Sequence, residues 1–253
     1  NSSKRVIREI KEFPVEKYDL VINDFEAITA WACRKRNVPC ISLSHQYALL
    51  FAHVPKPKHF DPIGSWFLNN YAPVSHGVGF HFDGYDKNIF TPVIRERIRE
   101  IKSTDAGHYT VYLPAYDDEK LVELLSKFKG VNWEVFSKHA RKAYHHGRVE
   151  VLPVHNEKFT KSMASSHGVL CGAGFETPAE ALYLGKKLMV VPMQNQYEQH
   201  FNAAALKQIG VPVIKKFSSK NLPKIGMWLD DQKTIDVNFP EVAPKAIENV
   251  FKI

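Results

Sequence analysis

A glycine-bearing turn sits between two apolar runs in the last third of the chain. Val169-Leu170-Cys171 leads into Gly172-Ala173-Gly174-Phe175-Glu176-Thr177-Pro178-Ala179-Glu180. Glycine tolerates positive φ and lets a ligand come close to the backbone. A helix opening behind the turn, with Thr177 as cap and Pro178 in its first turn, would aim unpaired N–H groups and its positive dipole end at an anion. That chemistry suits a diphosphate. The same residues admit a second reading: Thr177-x-x-Glu180 fits a capping box, whose two side chains satisfy donors of their own helix. The turn is not a dinucleotide fingerprint, because position 177 is Thr where G-x-G-x-x-G needs glycine. It is not a Walker A loop either, since no G-K-[ST] follows.

Beyond it, Gly185 closes the helix, and Lys187-Leu188-Met189-Val190-Val191-Pro192 returns as a strand. An amide-rich loop follows at once: Met193-Gln194-Asn195-Gln196-Tyr197-Glu198-Gln199-His200-Phe201-Asn202-Ala203. Such side chains suit the hydroxyls of a sugar and also suit plain surface. In the first half, Asp24-Phe25-Glu26 and His45-Gln46 each follow a strand-like run. Asp24 reads equally as a helix cap. His45 reads equally as a surface or satisfied core histidine.

The elements that must hold these residues alternate between strands and helices, which predicts parallel sheets covered by helices. In the first half the apolar runs 19–22, 38–43 and 74–82 read as strands, the last at a sheet edge. Residues 26–36 follow helical spacing through Ile28, Trp31 and Ala32. The turn-rich and charged stretch 83–105 reads as a linker. A second rhythm follows, with strands at 109–113, 133–136, 149–152, 169–171, 188–191 and 211–214. Helices are expected at 119–128 behind Asp117-Asp118, at 156–166 with Asn156 as cap, at 198–209 ending at Gly210, and at 240–251. Two domains result, 1–105 and 106–253, with the final segment 240–253 free to pack back on the first. A parallel sheet binds its ligand beyond the carboxyl ends of its strands, so function is sought in the loops after Leu113, Leu152, Cys171 and Val191.

Composition narrows the classes. Of 253 residues, 44% are hydrophobic, an ordinary share for a globular protein. No run of about 18 apolar residues could span a bilayer. The net charge of +7, from 34 basic and 27 acidic residues, suits an acidic partner such as a nucleotide-sugar or an anionic membrane surface. No basic run with interleaved aromatics argues for nucleic acid. The three cysteines, Cys33, Cys40 and Cys171, lie among apolar neighbours and read as core residues of a reducing compartment. There are 12 histidines, yet no H-E-x-x-H pattern, and adjacent His145-His146 cannot share a helical face. Neither metal site nor cofactor is expected.

In fixed order, Gly174-Phe175-Glu176-Thr177-Pro178-Ala179-Glu180, Gly185, Pro192 and Glu198-Gln199-His200-Phe201-Asn202-Ala203 resemble the donor signature of GT-B fold glycosyltransferases. The types most resembled are the UDP-glycosyltransferases and the bacterial N-acetylglucosaminyltransferase of peptidoglycan lipid II. The resemblance implies two Rossmann-like α/β domains, the N-terminal one incomplete. It implies a cytoplasmic bacterial enzyme, peripheral to the inner face of the membrane where its acceptor is a lipid.

The reaction implied is transfer from a UDP-sugar, UDP-GlcNAc among the candidates, to a hydroxyl of a sugar or lipid acceptor, with inversion and without metal. Gly172, Ala173, Gly174 and Phe175 would line the diphosphate, with the Thr177 hydroxyl on the α-phosphate. Glu180 would take the ribose hydroxyls. Glu198 and Gln199 would bind the sugar, with His200 or Asn202 nearby, and Val154 and His155 would border the uracil. Asp24, His45 and Gln46 would lie on the acceptor side. Two departures from the plant-type pattern point to the bacterial branch. Gly172 stands where that pattern has His, and Glu176, expected to turn away from the diphosphate, where it has Asn. The family's base comes from an early glycine-rich loop with no match here, and about 70 preceding residues are expected for a domain of ordinary size. Asp24 and His45 are the base candidates this chain offers. A non-catalytic donor-binding subunit needing a partner, or a GT-B-like sugar-nucleotide epimerase, are the alternatives.

Overall fold

The computed structural model describes residues 2–58 and 61–252. In chain order its main elements are α1 (Ser2–Glu12), β1 (Val21–Asn23), α2 (Ala27–Arg36), β2 (Cys40–Ser44), α3 (His45–Ala48), α4 (Pro62–Asn70), β3 (His76–Phe80) and β4 (Ile89–Phe90). Then come α5 (Glu96–Glu100), β5 (His108–Tyr112), α6 (Asp118–Leu125), β6 (Asn132–Ser137), β7 (Tyr144–His146), β8 (Val149–Pro153), α7 (Asn156–Ser165) and β9 (Gly168–Gly172). The last are α8 (Glu176–Tyr183), β10 (Lys187–Val191), α9 (Tyr197–Gln208), α10 (Leu222–Asp230) and α11 (Ala243–Val250). The chain divides into two compact units, residues 1–93 with 240–253, and residues 94–239.

The first unit carries a parallel four-stranded sheet in the order β1-β2-β3-β4. β3 is therefore an interior strand, not the edge strand its alternating pattern suggested. Its glycines explain the pattern: a Cβ on Gly77 would come within 2.7 Å of the Ser42 side chain, and one on Gly79 within 2.8 Å of Ala48. Small residues there let α3 lie against the sheet. α11 packs Ala246 and Val250 with Ile41 and Val78 of the same unit. Cys33 and Cys40 are buried with Ala30 and Val15 in its core, both as free thiols, and burial raises the Cys40 thiol to about 12.

The second unit is a six-stranded sheet, β10-β9-β5-β6-β8-β7, parallel except for β7. Strands buried on both faces lose alternation and read as apolar runs, as β9 and β10 do. Val111, Trp133, Val135, Leu121, Leu125, Phe217 and Trp228 form one core beneath the helices. Each such side chain contributes about 1.5–3 kcal/mol by leaving water. The apolar run 211–214 does not extend the sheet; Val213 makes a single bridge to Val190. The linker stretch holds β4 and α5, and the terminal helix begins at Ala243 rather than 240. Neither Asp117 nor Asn156 caps a helix through its side chain: Asp117 occupies the cap of α6 without such a bond, and His155 occupies that of α7.

Candidate donor site at the carboxyl edge of the second sheet

β9 delivers the chain to the carboxyl edge of its sheet, and after three intervening residues α8 begins at Glu176. Phe175, in the αR region, occupies the cap position and makes no side-chain cap bond. Thr177 is thus the second residue inside the helix, not its cap. Glu180 does not reach back to the helix start, so the capping box does not form. Pro178 has no N–H to leave unpaired. Among the described residues, the N–H groups of Gly174, Glu176 and Thr177 meet no acceptor. Those of Glu176 and Thr177 are donors that an α-helix leaves over at its start, on the side where the dipole is positive, and Gly174 lies just ahead of the cap.

Neither Gly172 nor Gly174 has a positive φ, contrary to the sequence expectation. Space distinguishes them. A Cβ on Gly172 would lie 3.6 Å from Gln199 Oε1, whereas one on Gly174 would meet nothing within 4 Å. The turn is held from below by Asn202, fully buried, whose Nδ2 donates to the Ala173 carbonyl at 3.1 Å. That bond makes Ala173 an anchor of the loop. Glu176 is exposed at the first helical position.

Glu180 is buried, and Arg95 grips it with two bonds: Nε to Oε1 at 2.5 Å and Nη2 to Oε2 at 2.6 Å. The bidentate pair raises the Arg95 pKa, chiefly through the hydrogen bond to Glu180. Sequence reasoning missed Arg95, because a partner 85 residues away leaves no local trace. Each Glu180 oxygen accepts one bond from Arg95 and retains a second lone pair.

The amide loop after β10 is braced by Gln199. Its Oε1 accepts from the Met193 N–H at 3.0 Å, and its Nε2 donates to Gln196 Oε1 at 2.6 Å. Gln199 is buried, and these two bonds fix its side chain against the loop. His200 places Nε2 3.2 Å from the Gln194 carbonyl, and Glu198 is half-buried. On the other flank, the Val154 N–H donates to Ser137 O at 3.1 Å. Val154 and His155 are exposed where the chain leaves β8. The loops after β8, β9 and β10 thus share one edge of the sheet. A cavity of about 360 Å³ lies at the other edge, lined by Asp105, His167, Lys186 and Gln232 among others. Its lysines are engaged, Lys186 by the Thr104 carbonyl and Lys187 by the Leu229 carbonyl, His167 is hydrogen-bonded to Asp105, and the cavity lies at the amino ends of the strands.

In the first unit, Asp24 is exposed after β1, and α2 is capped by Glu26 instead, whose carboxylate accepts from Ile28 and Thr29 N–H. His45 opens α3 and is buried, with Nδ1 2.8 Å from the Phe80 carbonyl. A carbonyl can only accept, so Nδ1 carries the proton and Nε2 is the basic atom. Gln46 is half-buried beside it. His81, unremarked in the sequence, sits edge-on to His45 at 5.3 Å between ring centroids. Burial first, and His45 second, depress its pKa to about 2. No three His, Cys, Asp or Glu among the described residues are grouped to hold a metal ion.

The second unit thus sets open amides at the start of one helix beside a braced amide loop, on one edge of a mainly parallel sheet. The sequence matches the family profile Glycosyl transferase family 1 over residues 1–231, and the chain belongs to that family. Among solved structures, MurG of Acinetobacter baumannii is similar with a TM-score of 0.62 at 15% identity, covering 99% of this chain and 78% of that one. The spinosyn rhamnosyltransferase SpnG complexed with thymidine diphosphate gives 0.54 at 12% identity, covering 99% and 74%. The glycosyltransferase of kitacinnamycin gives 0.55 at 14%, covering 98% and 75%. These likenesses place the chain in the GT-B glycosyltransferase fold. No protein with a curated function matches the sequence. No described helix is long and apolar enough to cross a membrane.

Proposed function

We propose that this chain transfers a sugar from a nucleoside diphosphate donor, a UDP-sugar such as UDP-GlcNAc, to a hydroxyl of a sugar or lipid acceptor. The observation that carries this reading is the set of unengaged N–H groups at Gly174, Glu176 and Thr177, in front of space that even a Gly174 side chain would not fill. Preorganised donors of this kind stabilise charge that develops on a leaving diphosphate. They do so without a metal in the mechanism we propose, which proceeds with inversion.

The Thr177 hydroxyl then meets the α-phosphate. Glu180, held by Arg95, offers its remaining lone pairs to the ribose hydroxyls. Glu198 and the spare amide hydrogen of Gln199 meet the sugar, with His200 at the rim. The backbone of Val154 and His155 borders the base. Acceptor recognition falls to Asp24, His45 and Gln46. Of these, His45 has the fixed tautomer that a general base needs, with Nε2 as the accepting atom. That SpnG, alike in fold, has been seen with thymidine diphosphate supports the donor class.

Calorimetric titration with UDP, UDP-GlcNAc, UDP-glucose and GDP tests the reading. Uridine ligands are expected to bind, the sugar-bearing ones differing among themselves. If no nucleoside diphosphate binds, the proposal fails.

A further inference from the structure

The cavity at the amino edge of the second sheet is lined by two buried cations that are neighbours in sequence. Lys186 is 6% exposed and Lys187 2%, although lysine is almost never buried without a charged partner. Among the described residues neither forms an ion pair. Lys186 Nζ donates to the Thr104 carbonyl at 2.5 Å. Lys187 Nζ donates to the Leu229 carbonyl at 3.0 Å and lies 5.7 Å over both the Tyr109 and the Trp228 ring. A carbonyl takes up one of the three donors of an ammonium and brings no full charge. Burial accordingly lowers the pKa of both lysines, outweighing what Asp105 returns to Lys186 and what Asp231 and Asp230 return to Lys187. An anion seated in the cavity would supply the counter-charge that a buried ammonium needs.

The walls say which anion. Asp105 is the one carboxylate among the described lining residues, and both its oxygens are occupied. Oδ1 accepts from the Gly107 N–H at 2.8 Å, and Oδ2 lies 2.6 Å from His167 Nδ1. Two ammonium groups match a phosphate monoester, which carries close to two negative charges at neutral pH, better than a single carboxylate. Gln232 and Thr234 reach the cavity from the irregular stretch 231–239, exposed and with side chains that make no hydrogen bond among the described residues. An amide and a hydroxyl so placed suit the hydroxyls of a sugar. The volume of about 360 Å³ lies near the lower end of small-molecule sites. A large polyanion such as nucleic acid fits less well, because lysines this deeply buried are within reach of a small ligand only.

We infer that this cavity binds a sugar phosphate, with its phosphate on Lys186 in the field of Lys187 and its hydroxyls on Gln232 and Thr234. The inference goes beyond the donor reading and does not depend on it. The donor loops follow the carboxyl ends of β8, β9 and β10, whereas His167 and Lys186 precede the amino ends of β9 and β10. Each of these last two strands has five residues and so spans about 17 Å, which keeps the two sites apart.

Calorimetric titration of the whole chain with inorganic phosphate, glucose 6-phosphate and glucose tests this. Both phosphates are expected to bind saturably, glucose 6-phosphate the more tightly, and glucose not to bind. Lys186→Met should weaken both phosphates about tenfold or more, one lost bond to a charged group. Gln232→Ala with Thr234→Ala changes exposed side chains and should leave the melting temperature as it is. It should weaken glucose 6-phosphate about fivefold and spare inorganic phosphate. That variant keeps the test decisive should Lys186→Met fail to fold. UDP affinity should be unchanged in both variants, and glucose 6-phosphate should still bind Gly174→Val at the donor turn, which separates this cavity from the donor site. The inference is overturned if neither phosphate binds the wild type, or if Lys186→Met or the Gln232/Thr234 variant holds glucose 6-phosphate as tightly as the wild type. It is also overturned if Gly174→Val abolishes that binding.

Discussion

Replacing Glu180 by Gln keeps the shape of the side chain and removes its charge. In the folded chain the carboxylate is 4% exposed and takes two bonds from Arg95, at 2.5 and 2.6 Å. Gln offers one acceptor and turns an N–H₂ toward the other guanidinium donor. A hydrogen bond to a charged group is worth about 1.5–3 kcal/mol, so losing one and opposing the other could cost about 4 kcal/mol. Arg95 is 37% exposed, however, and water recovers part of what the guanidinium loses. A cost of about 2 kcal/mol follows, or roughly 4–8 °C in melting temperature for a unit of this size. The assay is a thermal melt of the wild type, Glu180→Gln, Arg95→Met and the double variant. The expected coupling energy is about 1 kcal/mol or more. A coupling below about 0.3 kcal/mol, the scatter of independent sites, would refute the argument.

Thr177→Ala is expected to leave stability within about 0.5 kcal/mol, since no cap bond is lost, where a capping residue would cost about 1 kcal/mol. It should weaken UDP about tenfold through one lost bond to a charged phosphate, read by titration beside a melt. His81 gives a pH dependence. Its folded pKa, about 2, lies below the unfolded value of about 6.5, so the unfolded chain binds the proton first as pH falls. Its contribution is intact above about pH 6.5 and is lost at about 1.4 kcal/mol per pH unit below it. Urea unfolding at pH 7 and pH 5 should cost the wild type about 2 kcal/mol more than His81→Asn; equal losses would show that the ring is protonated in the fold.

The parallel strands were legible because burial on both faces leaves continuous apolar runs, as in Val169-Leu170-Cys171 and Leu188–Val191. Gly185 was legible as a helix end, and its φ of +68° explains why glycine stands there. What escaped the sequence is what local pattern does not encode. The start of α8 was placed two residues late, because Thr177-x-x-Glu180 imitates a capping box while Glu180 is in fact drawn to Arg95. The bracing of Met193 by Gln199 appears only once the loop closes on itself. The run 211–214 looked like a strand, yet it meets the sheet at one residue. α4 was not read at all, since an apolar stripe signals a helix only to a reader who expects it to face inward.

The central claim concerns the amides ahead of α8, and Gly174→Val tests it most directly. The fold has room for the side chain, with no positive φ and no atom within 4 Å of a Cβ there. The added group would stand where the diphosphate is to lie. UDP titration against both proteins should show at least about a hundredfold loss in the variant, two charge-assisted bonds at the low end of their range, with an unchanged melting temperature. Equal affinity in the two proteins would contradict the account.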